Sequence, residues 1–267
     1  MAKKHKSDKH VDAVIGIDIG GTGIKGGIVD LSKGKLIGDR FRIPTPQPAT
    51  PEAVAGVVSQ IVEELSSRPG GPGPDVPVGV TFPAIIQHGI ARSAANVDKS
   101  WIDTDVDTLL TKALGRDVQV MNDADAAGLA EARYGAGREV DGTVLVITLG
   151  TGIGSALIYK GMLVPNAELG HLEIDGHDAE TKASASARER DGIGWEEYAQ
   201  RLQRYFSHVE FLFSPDLFVI GGGISKRSED FLPMLELRTP MVTANLKNNA
   251  GIVGAALQAA MHFKYIK

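Results

Sequence analysis

The first third of the chain alternates apolar segments with polar and glycine-rich connections. Residues 13–20 and 24–31 are two β-branched runs separated by glycines, which is the pattern of a β-hairpin. A third strand is predicted near residues 35–43, and a proline-rich connection then leads into a helical pattern at residues 53–68. The predicted order is therefore strand, strand, strand, helix.

The middle of the chain continues with alternating strands and helices. Periodicity predicts a buried strand at residues 78–86, a short helix at 107–114, a strand at 118–121 and an alanine-rich helix at 124–134. The stretch from Pro69 to Pro77 is rich in proline and glycine and is predicted to be a loop.

The second half repeats the pattern of the first. Residues 143–164 again form an apolar strand, a glycine turn and an apolar strand. A helix is predicted at residues 194–213, a strand at 217–223 and a final helix at 252–263. The repetition predicts an internal duplication: an α/β protein in two similar halves, with a cleft between them.

Composition narrows the function classes. The 267 residues are 43% hydrophobic, enough for well-filled cores, and the net charge of −5 argues against general binding to nucleic acid or acidic membranes. The chain has no cysteine, which excludes disulfides and thiolate metal sites. No apolar run reaches the length of a spanning helix, and the polar residues 1–10 resemble a flexible tail more than a secretion signal, so a cytoplasmic protein is expected.

The first glycine turn has the residues needed to bind a phosphate. Between Asp18 and Lys25 lie Gly20, Gly21 and Gly23, whose backbone amides can approach an anion closely, and the hydroxyl of Thr22. Lys25 can offset developing charge, and Asp18 can hold Mg²⁺ through water. This combination suits phosphoryl transfer.

Gly21, Gly23 and Gly26 also match the G-x-G-x-x-G pattern of dinucleotide-binding proteins, which raises the alternative of an NAD-linked enzyme. That motif requires a helix to begin at the glycines. Here a strand pattern follows, so the hydride-transfer alternative is disfavoured.

Two further glycine turns follow apolar strands in the second half. Gly150, Thr151 and Gly152 repeat the glycine and threonine arrangement of the first turn, and two such turns facing each other would bind a phosphate chain. Gly221, Gly222 and Gly223 precede a segment where a helix terminus can receive a nucleotide or further phosphates, although a plain strand-to-helix connection explains them too.

The pair Asn122–Asp123 stands at the end of a strand and the start of a helix. Carboxylates there are often helix caps, which is the favoured interpretation for Asp125. Asp123 lies at the carboxyl end of the strand, where α/β clefts open, and kinase chemistry needs a carboxylate that accepts the proton of the attacking hydroxyl. Asp123 is therefore the candidate general base.

A second polar cluster contains Glu168, His171 and Glu173. A histidine with nearby carboxylates can bind zinc, although no cysteine completes the set. Carboxylates and imidazole also hydrogen-bond the vicinal hydroxyls of a sugar. A structural histidine is the third interpretation of His171.

These motifs occur in one order, and together they resemble the ROK family of sugar kinases. The resemblance is carried by DIGGTGIK, the Asn-Asp pair before an alanine-rich helix, LGTGIG, ELGH and GGGIS, and it covers roughly Val14 to Ala259. The segments FPAIIQHGIARSAANVDKSW and IPTPQPATPEAV resemble the polyphosphate glucokinase branch of that family.

The resemblance implies an actin-like, ribonuclease H-like fold with two domains, residues 11–122 and 123–267, whose last helix can pack back on the first domain. It maps the catalytic aspartate onto Asp123. It implies sugar contacts at Asn96, Asn122, Glu168, His171 and Glu180. Most bacterial members have a cysteine-rich zinc motif after ELGH, which this chain lacks, so no zinc is expected and the loop of His171 must be held in another way.

The activity implied is phosphorylation of glucose, and of mannose, at the 6-hydroxyl with polyphosphate or ATP and Mg²⁺. Two alternatives stay open: an ATP-only kinase for another sugar, such as fructose or N-acetylmannosamine, and a catalytically silent sugar-binding regulator. The resemblance also implies a homodimer. Basic residues that can guide polyphosphate, such as Lys25, Lys160 and Arg188, are too scattered in sequence to define a groove.

Overall fold

A computed structural model describes residues 11–94 and 97–266, which fall into two compact units. One unit contains the chain up to Ala126 together with Gly251 and the residues after it, and the other spans Ala127–Ala250. The sequence predicted a domain boundary between residues 122 and 123. In the structure the boundary lies four residues later, between Ala126 and Ala127, inside helix α3 (Asp123–Tyr134). The predicted tail, residues 1–10, and the predicted sugar contact Asn96 lie outside the described residues.

The first unit is built on a five-stranded sheet in the order β3-β2-β1-β4-β7. Strands β1 to β3 form an antiparallel meander, and β4 and β7 join it in parallel. A two-stranded hairpin, β5 and β6, follows β4. The strands are β1 (Ala13–Gly20), β2 (Gly23–Asp30), β3 (Lys35–Ile43), β4 (Val78–Phe82), β5 (Ile86–Gln87), β6 (Ile90–Ala91) and β7 (Val118–Asn122).

Helices α1 (Pro51–Ser67) and α2 (Val106–Leu114) belong to the same unit, and α3 (Asp123–Tyr134) begins in it. Both α1 and α2 begin at side-chain caps, because Thr50 accepts a hydrogen bond from the backbone of Ala53 and Asp105 accepts one from Thr108. Their apolar faces join the buried residues of the central strands in one core.

The second unit repeats this architecture with a sheet in the order β10-β9-β8-β13-β14. Its first three strands are antiparallel, and β13 and β14 run parallel to β8, as β4 and β7 run parallel to β1. The strands are β8 (Thr143–Leu149), β9 (Ile153–Tyr159), β10 (Met162–Val164), β11 (Glu173–Ile174), β12 (His177–Asp178), β13 (Leu217–Gly221) and β14 (Met241–Thr243). The helices are α4 (Glu180–Ala183), α5 (Ala185–Asp191) and α6 (Trp195–Phe213).

The equal strand order in the two sheets agrees with the predicted duplication. The sequence also predicted the three meander strands of the first half and the four longest helices, within a few residues. In the second half it predicted β8 but treated β9 and β10 as one strand. It missed α4, α5, β14 and the hairpin of β11 and β12, which are too short for a periodic signal. The predicted strand 78–86 ends at Phe82 because Pro83 follows it.

The last helix, α7 (Ala250–His262), packs against the sheet of the first unit. A side chain at Gly16 would overlap the backbone carbonyl of Ile252, and one at Gly79 would overlap that of Ala255. Glycine at these two strand positions therefore lets the helix backbone approach β1 and β4 directly. No helix among the described residues combines the length and the apolar character that crossing a bilayer requires.

Candidate active site

Asp123 is exposed although the residues on either side of it are buried. It is the first residue of α3, directly after β7, and Asn122 and Ala124 beside it are both 8% exposed. One carboxylate oxygen of Asp123 accepts a hydrogen bond from the backbone N–H of Ala124 at 2.9 Å. This bond orients the carboxylate of Asp123, which stays at the surface of its unit.

Asn122 holds the segment that presents Asp123. Its Oδ1 accepts hydrogen bonds from the backbone N–H groups of Ala124 and Asp125 at 2.8 and 3.1 Å, and its Nδ2 donates to the carbonyl of Ala84 at 3.1 Å. Asn122 therefore caps α3 and ties it to the strand region before β5. Asp125, the predicted cap, is 2% exposed and lies inside the helix.

The first glycine turn is the connection between β1 and β2. Gly20 pairs with Gly23 at its base, which leaves Gly21 and Thr22 as the exposed tip. The guanidinium of Arg42 lies across the turn: it donates to the carbonyl of Thr22 at 2.8 Å, and a side chain at Gly23 would overlap it. The sequence did not indicate Arg42, because it reaches the turn only through sheet pairing.

Asp18 and Lys25 are cross-strand partners below this turn. The Lys25 ammonium lies 3.5 Å from one carboxylate oxygen of Asp18, and the hydroxyl of Thr81 donates to the other oxygen at 3.0 Å. Lys25 also pairs across β2 and β3 with Arg42. The predicted residues Asp18, Gly20, Gly21, Thr22, Gly23 and Lys25 are thus brought together in one unit, with two cations around the turn.

Asp18 fits a magnesium ion held through water. A carboxylate oxygen is the ligand type that Mg²⁺ prefers, and the side chain of Asp18 is 23% exposed. Both of its oxygens already have a partner, Lys25 or Thr81, so the geometry favours an outer-sphere contact over direct ligation.

The second and third glycine turns lie side by side in the second unit. They follow β8 and β13, which are adjacent parallel strands in register from Leu217 with Val144 to Gly221 with Thr148. Gly222 has a φ of 83°, and a side chain there would overlap the backbone of Leu149. Glycine is therefore required for the third turn to pack against the second.

A cavity of about 330 Å³ lies beside the third turn. The loop that forms one wall is held by Glu131, a 1% exposed carboxylate that accepts hydrogen bonds from the backbone of Asn245 at 3.1 Å and of Leu246 at 2.7 Å. The lining includes residues of the turn and two lysines: Thr148, Gly221, Gly222, Gly223, Lys226 and Lys247. Backbone amides and ammonium groups around such a cavity suit a phosphorylated ligand.

Glu180 ties the second glycine turn to the second polar cluster. One oxygen of its carboxylate accepts a hydrogen bond from the backbone of Ile153 at 3.0 Å, and a side chain at Gly152 would overlap that carboxylate. The carbonyl of Gly150 accepts a hydrogen bond from the backbone of Ser186 at 3.1 Å, which adds α5 to the same assembly. Thr151 is exposed at the tip of the turn.

His171 is oriented by Asp178. Its Nδ1 lies 2.8 Å from a carboxylate oxygen of Asp178, which the hairpin of β11 and β12 brings beneath it. The contact with Asp178 holds the loop of His171, in which this chain has no cysteine-rich motif. Sequence reasoning missed Asp178 because it lies seven positions after His171 and reaches it through a hairpin too short to predict.

The electrostatics of this cluster favour a protonated His171 and a less acidic Glu168. The hydrogen bond to Asp178 is the main cause that raises the pKa of His171, and the charges of Glu180 and Glu168 add to it. Burial raises the pKa of Glu168, against the opposing charge of His171. Glu173, the third residue of the sequence cluster, is exposed on β11.

His171, Asp178 and Glu180 also form a group with one potential metal-ligand atom each, all within 4.8 Å of one another. Nδ1 of His171 and the carboxylate of Asp178 already contact each other, and one oxygen of Glu180 accepts from the backbone of Ile153. The expected absence of zinc stays a prediction.

Known proteins similar to this chain include a family model and curated enzymes that both point to sugar kinases. The family model described as ROK family matches residues 14–192. A polyphosphate glucokinase of Mycobacterium tuberculosis (strain CDC 1551 / Oshkosh) is 51% identical over 243 residues, which cover 91% of this chain and 89% of the relative.

Two solved structures extend the similarity to the fold. The crystal structure of an inorganic polyphosphate/ATP-glucomannokinase from Arthrobacter sp. strain KM superposes with a TM-score of 0.90 and 73% identity, covering 94% of this chain and 100% of that one. A ROK family glucokinase from Streptomyces griseus, in complex with glucose and AMPPNP, has a TM-score of 0.78 and 26% identity, covering 93% and 99%. These matches confirm the predicted two-domain sugar kinase fold.

Proposed function

We propose, from the premise that this chain belongs to the ROK family, that it is a kinase that transfers a phosphoryl group from polyphosphate or ATP to the 6-hydroxyl of glucose. The names of its relatives support both the sugar and the two donors. Mannose is the second substrate that we propose, since the similar Arthrobacter enzyme is a glucomannokinase.

One observation carries this proposal: the exposed carboxylate of Asp123 at the end of a buried strand. Asn122 and the backbone of Ala124 fix its position, so little reorganisation is needed when a hydroxyl approaches. In the proposed step the carboxylate of Asp123 accepts the 6-hydroxyl proton. The 6-oxygen of the sugar forms a bond to the terminal phosphorus of the donor. The bond from that phosphorus to the rest of the donor breaks at the same time, and the shortened polyphosphate or ADP leaves.

The glycine turns would stabilise the charge that moves onto the phosphate oxygens. On the first unit, the backbone at Gly21 and the hydroxyl of Thr22 are exposed, and Lys25 and Arg42 supply positive charge next to them. On the second unit, the turns at Gly150 and Gly221 would hold the rest of the donor. Mg²⁺ would bind through water at Asp18 and neutralise donor charge.

Glu168, His171 and Glu180 are the groups that we assign to sugar hydroxyls, together with Asn122. Carboxylates accept hydrogen bonds from vicinal hydroxyls. The protonated form of His171, which the contact with Asp178 favours, donates from Nδ1 to Asp178 and has Nε2–H left to donate to a hydroxyl. The sugar contact at Asn96, the homodimer and the cytoplasmic location stay predictions of the sequence.

The test is hexose 6-phosphate formation with glucose or mannose, Mg²⁺, and either ATP or nucleotide-free polyphosphate. We expect product with both donors. Product with ATP alone would contradict the proposed use of polyphosphate. No product with either donor would favour the alternative of a catalytically silent, sugar-binding regulator.

The variant Asp123→Asn tests the general-base role of Asp123 with a side chain of the same size and shape. We expect it to lower turnover by at least about a thousandfold, because the amide cannot accept the proton, while glucose binding persists. Asp117→Asn is the matched control, since Asp117 is an exposed aspartate just before β7 and lies outside the proposed site. Near-normal turnover of Asp123→Asn would contradict the assignment.

A further inference from the structure

We propose that Arg188 and Arg227, which both lie against Trp195, form a binding site for the distal phosphates of a linear polyphosphate. The Cζ atom of Arg188 is 3.7 Å from the centre of the Trp195 ring, and that of Arg227 is 5.1 Å from it. The inference rests on the proposed use of polyphosphate and adds a place where the chain is held beyond the transferred group.

Both arginines extend from the glycine turns of the second unit. Arg188 is two residues along α5 from Ser186, whose backbone bonds the carbonyl of Gly150, so it lies about 3 Å further along the helix axis. Arg227 lies in the 3-10 helix that begins at Gly223. Arg227 follows the third turn within a few residues, and Arg188 is linked to the second turn through the hydrogen bond of Ser186, so both turns that we assign to the donor are connected to a guanidinium against the same indole ring.

The arginine pair has more positive charge than its surroundings neutralise. Arg227 pairs with Asp230, its Nε 2.5 Å from the carboxylate. The side chain of Arg188 has no ion pair or hydrogen bond among the described residues, and its Nε is buried without a partner. The nearby Asp191 is already shared by Arg190 and Arg201. An anion would supply the missing acceptors and relieve the repulsion between the two cations.

The aromatic support keeps this pair in place. Trp195 is stacked against Phe231, with ring centres 6.0 Å apart and planes 15° apart, and Tyr198 contacts both rings edge-on. Phe231 and Tyr198 are fully buried. A guanidinium stacked on a fixed indole loses little freedom when it binds, and its planar fork matches two phosphate oxygens.

The position of the site predicts which donor depends on it. A nucleoside triphosphate has three phosphates, which we assign to the glycine turns. A linear polyphosphate continues past the turns and carries a further negative charge on every additional phosphate. The arginine pair should therefore strengthen binding of long chains and contribute little to ATP.

Arg188→Gln tests the proposal, with Arg190→Gln as the matched control. Arg190 lies on the same helix, is 59% exposed, and gives the same change in net charge. We expect Arg188→Gln to raise the KM for long-chain polyphosphate by about tenfold, the loss of one charge-assisted contact, and to change kcat and the KM values for ATP and glucose less than about twofold. The salt dependence of polyphosphate binding should also become shallower.

A binding measurement without turnover completes the test. Trp195 is one of two tryptophans in the chain, and the other, Trp101, is fully buried, so polyphosphate should change the fluorescence of Trp195. The change should disappear in Trp195→Phe and weaken in Arg188→Gln.

The inference is overturned if Arg188→Gln and Arg190→Gln have the same KM for polyphosphate. It is also overturned if Arg188→Gln impairs ATP and polyphosphate equally, which would place Arg188 on phosphates that both donors share. A wild-type protein that makes no product from polyphosphate contradicts the proposed function instead, and the fluorescence titration then decides the binding site by itself.

Discussion

At the scale of single residues, the Asp178 and His171 pair sets the chemistry of the second polar cluster. Asp178 accepts from Nδ1, which fixes the ring and leaves Nε2 for a ligand. The same contact raises the pKa of His171, so the imidazole stays protonated to higher pH than an ordinary histidine. A protonated ring donates to a sugar hydroxyl, and its charge offsets the carboxylates of Glu168 and Glu180 around it.

Asp178→Asn should lower the pKa of His171, because the amide has no charge with which to stabilise the imidazolium. We expect the KM for glucose to rise and its dependence on pH to shift toward lower pH, since His171 then loses its proton earlier. NMR titration of the imidazole measures the pKa, with the signal assigned through His171→Gln.

Asp175→Asn is the control for this experiment, because Asp175 lies in the same hairpin and pairs with Arg204 instead. An unchanged His171 titration in Asp178→Asn would contradict the role given to Asp178.

The pair should also affect stability in a pH-dependent way. Because the folded pKa of His171 lies above its unfolded value, the stabilisation is fully present below the unfolded pKa and is lost as pH rises through the folded pKa. Asp178→Asn should therefore lower Tm more in acid than in alkali.

At the scale of elements, the second and third glycine turns depend on one close approach. Gly222 has positive φ and lies against the backbone of Leu149, whereas nothing lies within 4 Å of the position that a side chain on Gly223 would occupy. The two neighbouring glycines therefore have different structural roles although they are equivalent in the sequence.

Gly222→Ala should destabilise the protein by about 1–3 kcal/mol, because the new methyl group overlaps Leu149 and the backbone conformation disfavours alanine. Gly223→Ala is the matched control and should unfold close to the wild-type temperature. Thermal unfolding followed by circular dichroism measures both, and equal Tm values for the two variants would contradict the packing described here.

At the scale of the whole molecule, the chain returns to its first unit at the end. Ile252, Val253 and Leu257 of α7 are at most 1% exposed, and burial of each apolar side chain contributes about 1.5–3 kcal/mol. The first unit therefore requires residues from both ends of the sequence, whereas the second unit is one continuous segment.

A fragment of residues 11–126 should lack cooperative thermal unfolding, and the same fragment joined by a flexible linker to residues 250–266 should regain it. The linked fragment with Ile252→Asp is the control, since a charge on the buried face of α7 should abolish the gain. Cooperative unfolding of residues 11–126 alone, at the temperature of the linked fragment, would show that α7 is dispensable.

Regular elements and glycine motifs were the predictable part of this protein. Strands such as β1 and helices such as α1 have enough residues to show a period, and their caps and turns are local features of the chain. Asp123 was a candidate because its position at a strand end follows from the same local pattern. Family resemblance then supplied the sugar contacts that spacing could not.

Other features depended on contacts between distant parts of the sequence. Arg42 reaches the first glycine turn through the register of β2 and β3, and Asp178 reaches His171 through a hairpin too short to predict. Arg188 and Arg227 are 39 residues apart in sequence and share one indole ring. The sequence by itself determined the longer elements, the duplication and the chemical groups, because these are properties of neighbouring residues. Only the tertiary structure decided which charges meet, because sheet register and close backbone packing bring together residues that no local pattern connects.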